Sequence, residues 1–249
     1  MYISHHRRIN KSRMLGFLDD IENPPAQSYS LYLTPGLSVP EIEDLIKDLA
    51  LDKEIATEIT ELVTNSSTGG VLFWGNVNKC LAIPPFPLQT RITSKGYDVE
   101  PFRSLLQQQL LVALILVRLG EYAIGVFEGE KLLSSKVGTG LVHSRHKKGG
   151  SSQRRFERHR EKQMEGFFTR VCAHVRSNLE PHARQLSHVI YGGERNTLQA
   201  FRKQCRFLSA FDDLTMGLRL NVRKPRQPML EAAIIEVWSS ELIEWVEAS

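Results

Sequence analysis

No apolar run in this 249-residue chain reaches the ~18 residues that a membrane-spanning helix needs. The longest, Leu110 to Leu119, is too short and contains Arg118, so no membrane partner is expected. The N-terminus, MYISHHRRINKSRM, carries charge with no apolar stretch behind it, which is not the pattern of a secretory signal. Cysteine is scarce: Cys80, Cys172 and Cys205 stand singly, with no CxxC pair. That usage points to a reducing compartment and argues against a disulfide framework or a thiolate zinc site, so a cytoplasmic protein is expected. His143 and His146 are three apart, but no HExxH pattern and no third ligand accompany them. The segment GGERNT, from Gly192 to Thr197, lacks the lysine of a phosphate-binding loop, and GGSSQ lacks the Gly-x-Ser-x-Gly of a nucleophile elbow. Ser151 and Ser152 have no readable base beside them. Asp212 and Asp213 are adjacent and point in different directions, so they give no support to a paired-carboxylate site. No metal and no cofactor are expected.

What is present is an ordinary globular composition, 41% hydrophobic and 24% charged, with an unevenly placed charge. The net charge is +4. Between His143 and Lys162 lie eight lysines and arginines against two acids, which is +6 in twenty residues. The remainder holds 24 basic against 26 acidic residues, or −2. A basic block on a nearly neutral body suggests a polyanionic partner, most often a nucleic acid.

Residues 1–27 are polar, end near Asn23-Pro24-Pro25, and read as an N-terminal arm with one helical turn near Leu15 to Ile21. A small N-terminal α/β unit follows over 28–100. It opens with the alternating strand SYSLYLT, continues with a helix begun by Ser38 and Pro40 and a second, acidic helix from Asp52 to Thr64, and then forms a hairpin of GGVLFWG and KCLAIPP. The cluster Pro84-Pro85-Phe86-Pro87 ends it, and a linker leads to Glu100. Over 101–249, three strand-like runs (LLVALILVRLG, EYAIGVFEGE, KLLSSKVGTG) are separated by Gly-containing turns and predict an antiparallel meander. The basic Gly-rich loop over 143–153 comes next. Apolar positions at 156, 164, 167, 168, 171, 175 and 179 then predict a long helix from Arg154 to Leu179. LSHVIYGG reads as a buried strand, ERNTLQAFRKQC as a helix, and Met229 to Val246 as a terminal helix. This order predicts an α+β fold: a mixed β-sheet flanked by helices.

The long helix opens with Arg154, Arg155, Arg158 and Arg160, where the helix dipole favours acids. Stability alone would not choose that placement; a phosphate-rich partner would. Gly149 and Gly150 open backbone conformations closed to other residues and allow close approach to a ligand. Gln153 carries an amide, which cannot act as an acid or base at neutral pH but can position a water and donate through its NH2. A Gly-Gly loop bearing such an amide on a basic mount has the character of a catalytic aid rather than a self-sufficient active site.

The string EYAIGVFEGEKLLSSKVGTGLVHSRHKKGGSSQRRFERHREKQ, followed by a long helix and LSHVIYGGERNTLQAF, resembles the bacterial branch of the Vms-type release-factor-like domain. These domains are related to the catalytic, GGQ-bearing middle domain of eukaryotic and archaeal class I release factors. The similarity spans about residues 103–249. Gly150-Ser151-Ser152-Gln153 matches the GxxQ spacing of the Vms-type pattern and departs from strict GGQ, in which the amide follows the glycines directly.

The resemblance implies a release-factor middle-domain fold and ribosome-dependent peptidyl-tRNA hydrolysis on stalled ribosomes, a rescue or quality-control activity. It also implies site residues. Gln153, with Gly149 and Gly150, would serve the attack of water on the peptidyl ester. Arg145, Lys147, Lys148, Arg154, Arg155 and Arg158 would hold large-subunit rRNA and the tRNA acceptor end. Two other readings stay open: cleavage of RNA near the tRNA 3′ end, with which some Vms-type proteins are associated, and a non-catalytic ribosome or RNA binder.

Overall fold

The two ends of the chain pair with each other. In the computed structural model, which describes residues 2–22, 27–49, 51–142 and 153–246, β1 (Tyr2–Ile9) runs antiparallel to β11 (Ser240–Val246). The chain divides into two compact units, one of residues 1–108 with 235–249 and the other of 109–234.

The first unit is built on a six-stranded antiparallel sheet in the order β1-β11-β4-β3-β2-β5. Its inner strands are β11, β4 (Lys79–Ile83), β3 (Gly70–Trp74) and β2 (Tyr29–Leu33), and β5 (Ile92–Lys95) closes one edge. All five residues of β3 are buried, so both faces of the sheet are covered. Helices α2 (Val39–Ile46) and α3 (Lys53–Asn65) set Ile42, Ile46, Ile55, Ile59 and Val63 against Leu31, Leu72, Leu81 and Trp245. A capping box starts α2: the Ser38 backbone N–H donates to Glu41 at 2.9 Å and its hydroxyl at 2.7 Å. Helices α1 (Lys11–Ile21) and α4 (Glu100–Gln107) bury Met14, Leu18, Phe102 and Leu106.

Three expectations differ here. The polar start of the chain is not an arm: β1 and α1 belong to the sheet unit, because Ile9, Met14 and Leu18 are buried in it. The expected linker contains β5, which pairs with β2. The expected terminal helix ends early, as α7 (Gln227–Val237), and SELIEWV forms β11 instead. Pairing of β11 with strands on both sides, β1 and β4, overrides a helical continuation. The border between units therefore falls at 108/109, and the last residues return to the first unit.

The second unit carries a five-stranded mixed sheet in the order β10-β9-β6-β7-β8. The meander is there as β6 (Leu111–Arg118), β7 (Glu121–Glu128) and β8 (Lys131–Thr139), all antiparallel. The long helix α5 (Gln153–Leu179) returns the chain so that β9 (His188–Gly193) lies parallel to β6. α6 (Arg195–Gln204) repeats the crossover and places β10 (Thr215–Leu220), which sequence reading missed, parallel to β9. Ile115, Ile124, Phe167, Val171, Val175, Tyr191 and Phe201 share one core. The α+β expectation, a mixed sheet flanked by helices, is met, but the other unit is not the small one expected: it holds 123 residues against 126 and carries the six-stranded sheet.

Candidate functional site

β8 leads directly into the basic segment, and α5 follows it. The stem is built by a cross-strand pair. Tyr122 of β7 sits opposite Gly138 of β8, and a Cβ at 138 would collide with the tyrosine ring. Two residues on, a Cβ at Gly140 would stand 2.7 Å from the Phe167 ring of α5. The glycines of KVGTG thus let Tyr122 and Phe167 close over the end of β8, and the Gly140 N–H donates to Gly120 O at 2.8 Å.

From the other side, Tyr122 stacks on His174, with ring centroids 5.6 Å apart and planes 18° from parallel. Burial, reinforced by Lys136 and Arg170, pushes the His174 pKa down, so it stays neutral near pH 7. Burial raises the Tyr122 hydroxyl, with Arg170 opposing. These contacts hold the end of β8 that precedes the basic segment, and none was legible from residue spacing.

α5 has 27 residues and is about 40 Å long at ~1.5 Å per residue. Phe167, Phe168, Val171, Val175 and Leu179 are buried, whereas no side chain described between 155 and 166 is. Its first turn contains no acid, so the placement of arginine against the dipole stands in the fold. The lower half is tied to α6. The Gln204 side-chain amide donates to Glu165 O and to Thr169 Oγ1, both at 2.9 Å, and Phe168 packs on Phe201 at 5.7 Å.

Cys172 and Cys205 are disulfide-bonded, with Cα atoms 5.5 Å apart. This corrects the expectation of three separate thiols. The crossover through β9 brings the end of α6 back onto α5, and a separation of 33 residues announces no such pairing. Cysteine usage therefore no longer indicates the redox setting. Cys80 is a buried free thiol.

Of the expected site residues, Arg155 and Arg158 are exposed on the upper half of α5. Gln153 and Arg154 are the first two residues of that helix by backbone, and their side chains lie outside what the structure describes. Gly149, Gly150, Arg145, Lys147 and Lys148 lie outside the described residues, as do His143, His146, Ser151 and Ser152. Among the described residues no group of three or more His, Cys, Asp or Glu could hold a metal ion. Asp212 is engaged by Arg202 at 2.6 Å, and Arg202 also lies 4.8 Å over the Tyr191 ring. Arg202 and Asp212 line a shallow cleft of about 290 Å³ with Gln199, Leu208 and Ser209, and its cation is already neutralised.

Comparison with known proteins gives three findings. The family model described as Actinobacteria/chloroflexi VLRF1 release factor matches residues 111–243, more than half of the chain. Among curated proteins, a peptide chain release factor subunit 1 from Thermococcus sibiricus is 31% identical over 147 residues, 54% of this chain and 35% of that protein. Another from Aeropyrum pernix is 26% identical over 217 residues, 76% of this chain and 58% of its own length. The chain thus spans between about a third and three fifths of these relatives. A crystal structure of the archaeal translation termination factor aRF1 is similar at 20% identity with a TM-score of 0.40, covering 92% of this chain and 72% of that one.

Proposed function

We propose that this chain, which belongs to the Actinobacteria/chloroflexi VLRF1 release factor family, is a cytoplasmic, ribosome-dependent peptidyl-tRNA hydrolase that frees nascent chains from stalled ribosomes. The observation that carries this reading is the setting of the GxxQ segment. Along the sequence it follows the strand of the Tyr122–Gly138 pair and runs into a helix whose exposed Arg155 and Arg158 oppose their own dipole.

In the proposed reaction a water oxygen attacks the carbonyl carbon of the ester between peptide and tRNA. The carbonyl oxygen becomes an oxyanion, the bond to the terminal ribose oxygen breaks, and that oxygen takes a proton. Gln153 orients the water through its side-chain carbonyl, and loop N–H groups face the oxyanion. Gly149 and Gly150 let the loop approach the ester without side-chain bulk. Arg145, Lys147, Lys148, Arg154, Arg155 and Arg158 pair with phosphates of rRNA and of the tRNA acceptor end. Much of the rate comes from proximity, with ribosomal RNA completing the site, so the isolated protein shows little esterase activity.

The test is release from stalled ribosome–peptidyl-tRNA complexes by wild type and Gln153→Ala. Free peptide with intact, rechargeable tRNA is expected from wild type, with a drop of about 100-fold or more in the variant. Peptide still bearing a nucleotide would instead establish RNA cleavage. Equal binding with no release by either protein would leave a binding factor.

A further inference from the structure

α5 continues its core-facing stripe beyond the core. Phe156 lies eleven residues before Phe167, which at 3.6 residues per turn returns it to within roughly 20° of the same face, about 16 Å further on. Phe167 is 1% exposed and Phe156 is 61% exposed. The sequence period counts Phe156 as core, yet no side chain described between 155 and 166 is buried. Among the described residues it is the one aromatic in the set of exposed large apolar side chains. Leu141, at the other stem of the basic segment, is 72% exposed.

The neighbours of Phe156 decide what such a ring is for. From Arg154 to Lys162 there are five basic residues and two acids, a net of +3 in nine positions. Arginine and aromatic side chains also suit protein interfaces, so it is the one-signed net charge that favours a polyanion here. Arg155 and Arg158 flank the ring in sequence and are exposed. One and two turns along, on the ring's side of the helix, His159 and Gln163 are joined at 3.1 Å and present groups that can donate and accept. An aromatic face between cations, with hydrogen-bonding groups beside it, suits an unpaired base with its flanking phosphates. A base inside a duplex is stacked on both faces and has none to offer.

We infer that the overhanging upper half of α5 is a single-stranded RNA strip, with Phe156 the platform on which one unpaired base stacks and Arg155 and Arg158 the phosphate partners. The inference rests on the RNA-contacting reading of the basic helix, but it assigns nothing to Gln153 and needs no hydrolysis.

The full-length protein is titrated against a labelled single-stranded RNA of about 12 nucleotides, within the site sizes of single-strand binders, and against a duplex of equal length. Phe156→Ala is expected to weaken single-strand binding about tenfold at every salt concentration, leaving the salt slope and duplex binding unchanged. Arg158→Ala is expected instead to flatten the salt slope, by about 0.7 for one lost phosphate contact on a single strand. Phe156→Trp should restore affinity, and its emission should be quenched by RNA against a background in which Trp74, Trp238 and Trp245 are all buried. Single-strand affinity unchanged in Phe156→Ala would overturn the inference. So would equal losses on single strand and duplex, since they would mean the ring only supports the helix. Because no step uses peptidyl-tRNA, a failed Gln153→Ala release assay removes the hydrolase reading and leaves this one standing, and the reverse also holds.

Discussion

Residues 109–234 hold 22 lysines and arginines against 11 acids, a net of +11, whereas residues 1–108 with 235–249 hold 10 against 17, a net of −7. Counted along the chain, the +6 block around the Gly-rich loop seemed to sit on a body of −2. The partition shows that this body is an average of two unlike ones: outside the block, the second unit is still +5. Its positive field is thus a property of the whole unit rather than of one segment. A field of that extent attracts polyanions over about a Debye length, while the acidic unit repels them. The units differ in scaffold as well. The acidic one is an antiparallel sheet closed by the two chain ends, and the basic one is a mixed sheet threaded by two crossover helices.

The largest expected effect separates the units by stability. Replacing both Cys172 and Cys205 by Ser opens a 33-residue loop in the second unit and should cost it about 3–4 kcal/mol in the chain-entropy account. Trp74, Trp238 and Trp245 all lie in the first unit, so tryptophan emission in a urea titration follows that unit, whereas far-ultraviolet circular dichroism follows both. The emission midpoint should hold while the dichroism midpoint falls. A joint shift would break the comparison. Cys80, whose thiol burial pushes up, should stay unmodified by iodoacetamide under native conditions.

Charge comes next. Arg155→Glu with Arg158→Glu should lower RNA affinity about 100-fold at moderate salt and flatten its salt dependence. Neutralising the exposed Glu54 and Glu61 of α3 to Gln should change it less than about twofold. Comparable effects from the two pairs would show that net charge, not its placement, governs binding.

Gly138→Ala should cost the second unit about 1–3 kcal/mol, because the added methyl drives the Tyr122 ring off β8 and off His174. Tyr122→Ala removes the ring that the methyl meets, so the double variant should lose less than the two single costs combined. Additive losses in a double-mutant cycle would reject this packing account.

The smallest effect is in pH. Folding lowers the pKa of His174 and of His188, by burial first in each case, so the unfolded chain takes up these protons before the folded one does. Their contribution to the stability of the second unit is therefore full above about pH 6.5 and is lost as pH falls from there toward the lowered folded values. His174→Phe, which keeps an aromatic ring against Tyr122, should flatten part of that slope. In the first unit the Ser38 hydrogen bonds hold Glu41 below the usual carboxylate range, so its contribution persists through that window and is lost only as pH falls through its lowered value. Tryptophan emission should accordingly be steady across the range in which the second unit weakens.

How much was legible can be judged from particular residues. The β6–β8 meander, α5 and β9 follow from periodicity and glycine turns, because their patterns agree with the burial the fold imposes. β11 was read as helix and β10 was missed, since pairing partners distant in sequence decided both. Around the site, the arginines of α5 were visible as a charge run set against a dipole. Tyr122, Gly138, Gly140 and His174 were not, because a ring packed over a glycine leaves no spacing to read.

By itself the sequence determined where the positive charge and the flexible residues stand, that an amide follows the glycines at GxxQ spacing, and which runs could become strand or helix. These are local properties, set by side-chain chemistry and by periods of two and 3.6 residues. Tertiary structure alone decided that Cys172 meets Cys205, that the chain ends share a sheet, and that Phe156 stands in solvent while Phe167, on the same face, is core. Each depends on where another segment stops or returns, and helical period carries no information about where the sheet beneath it ends.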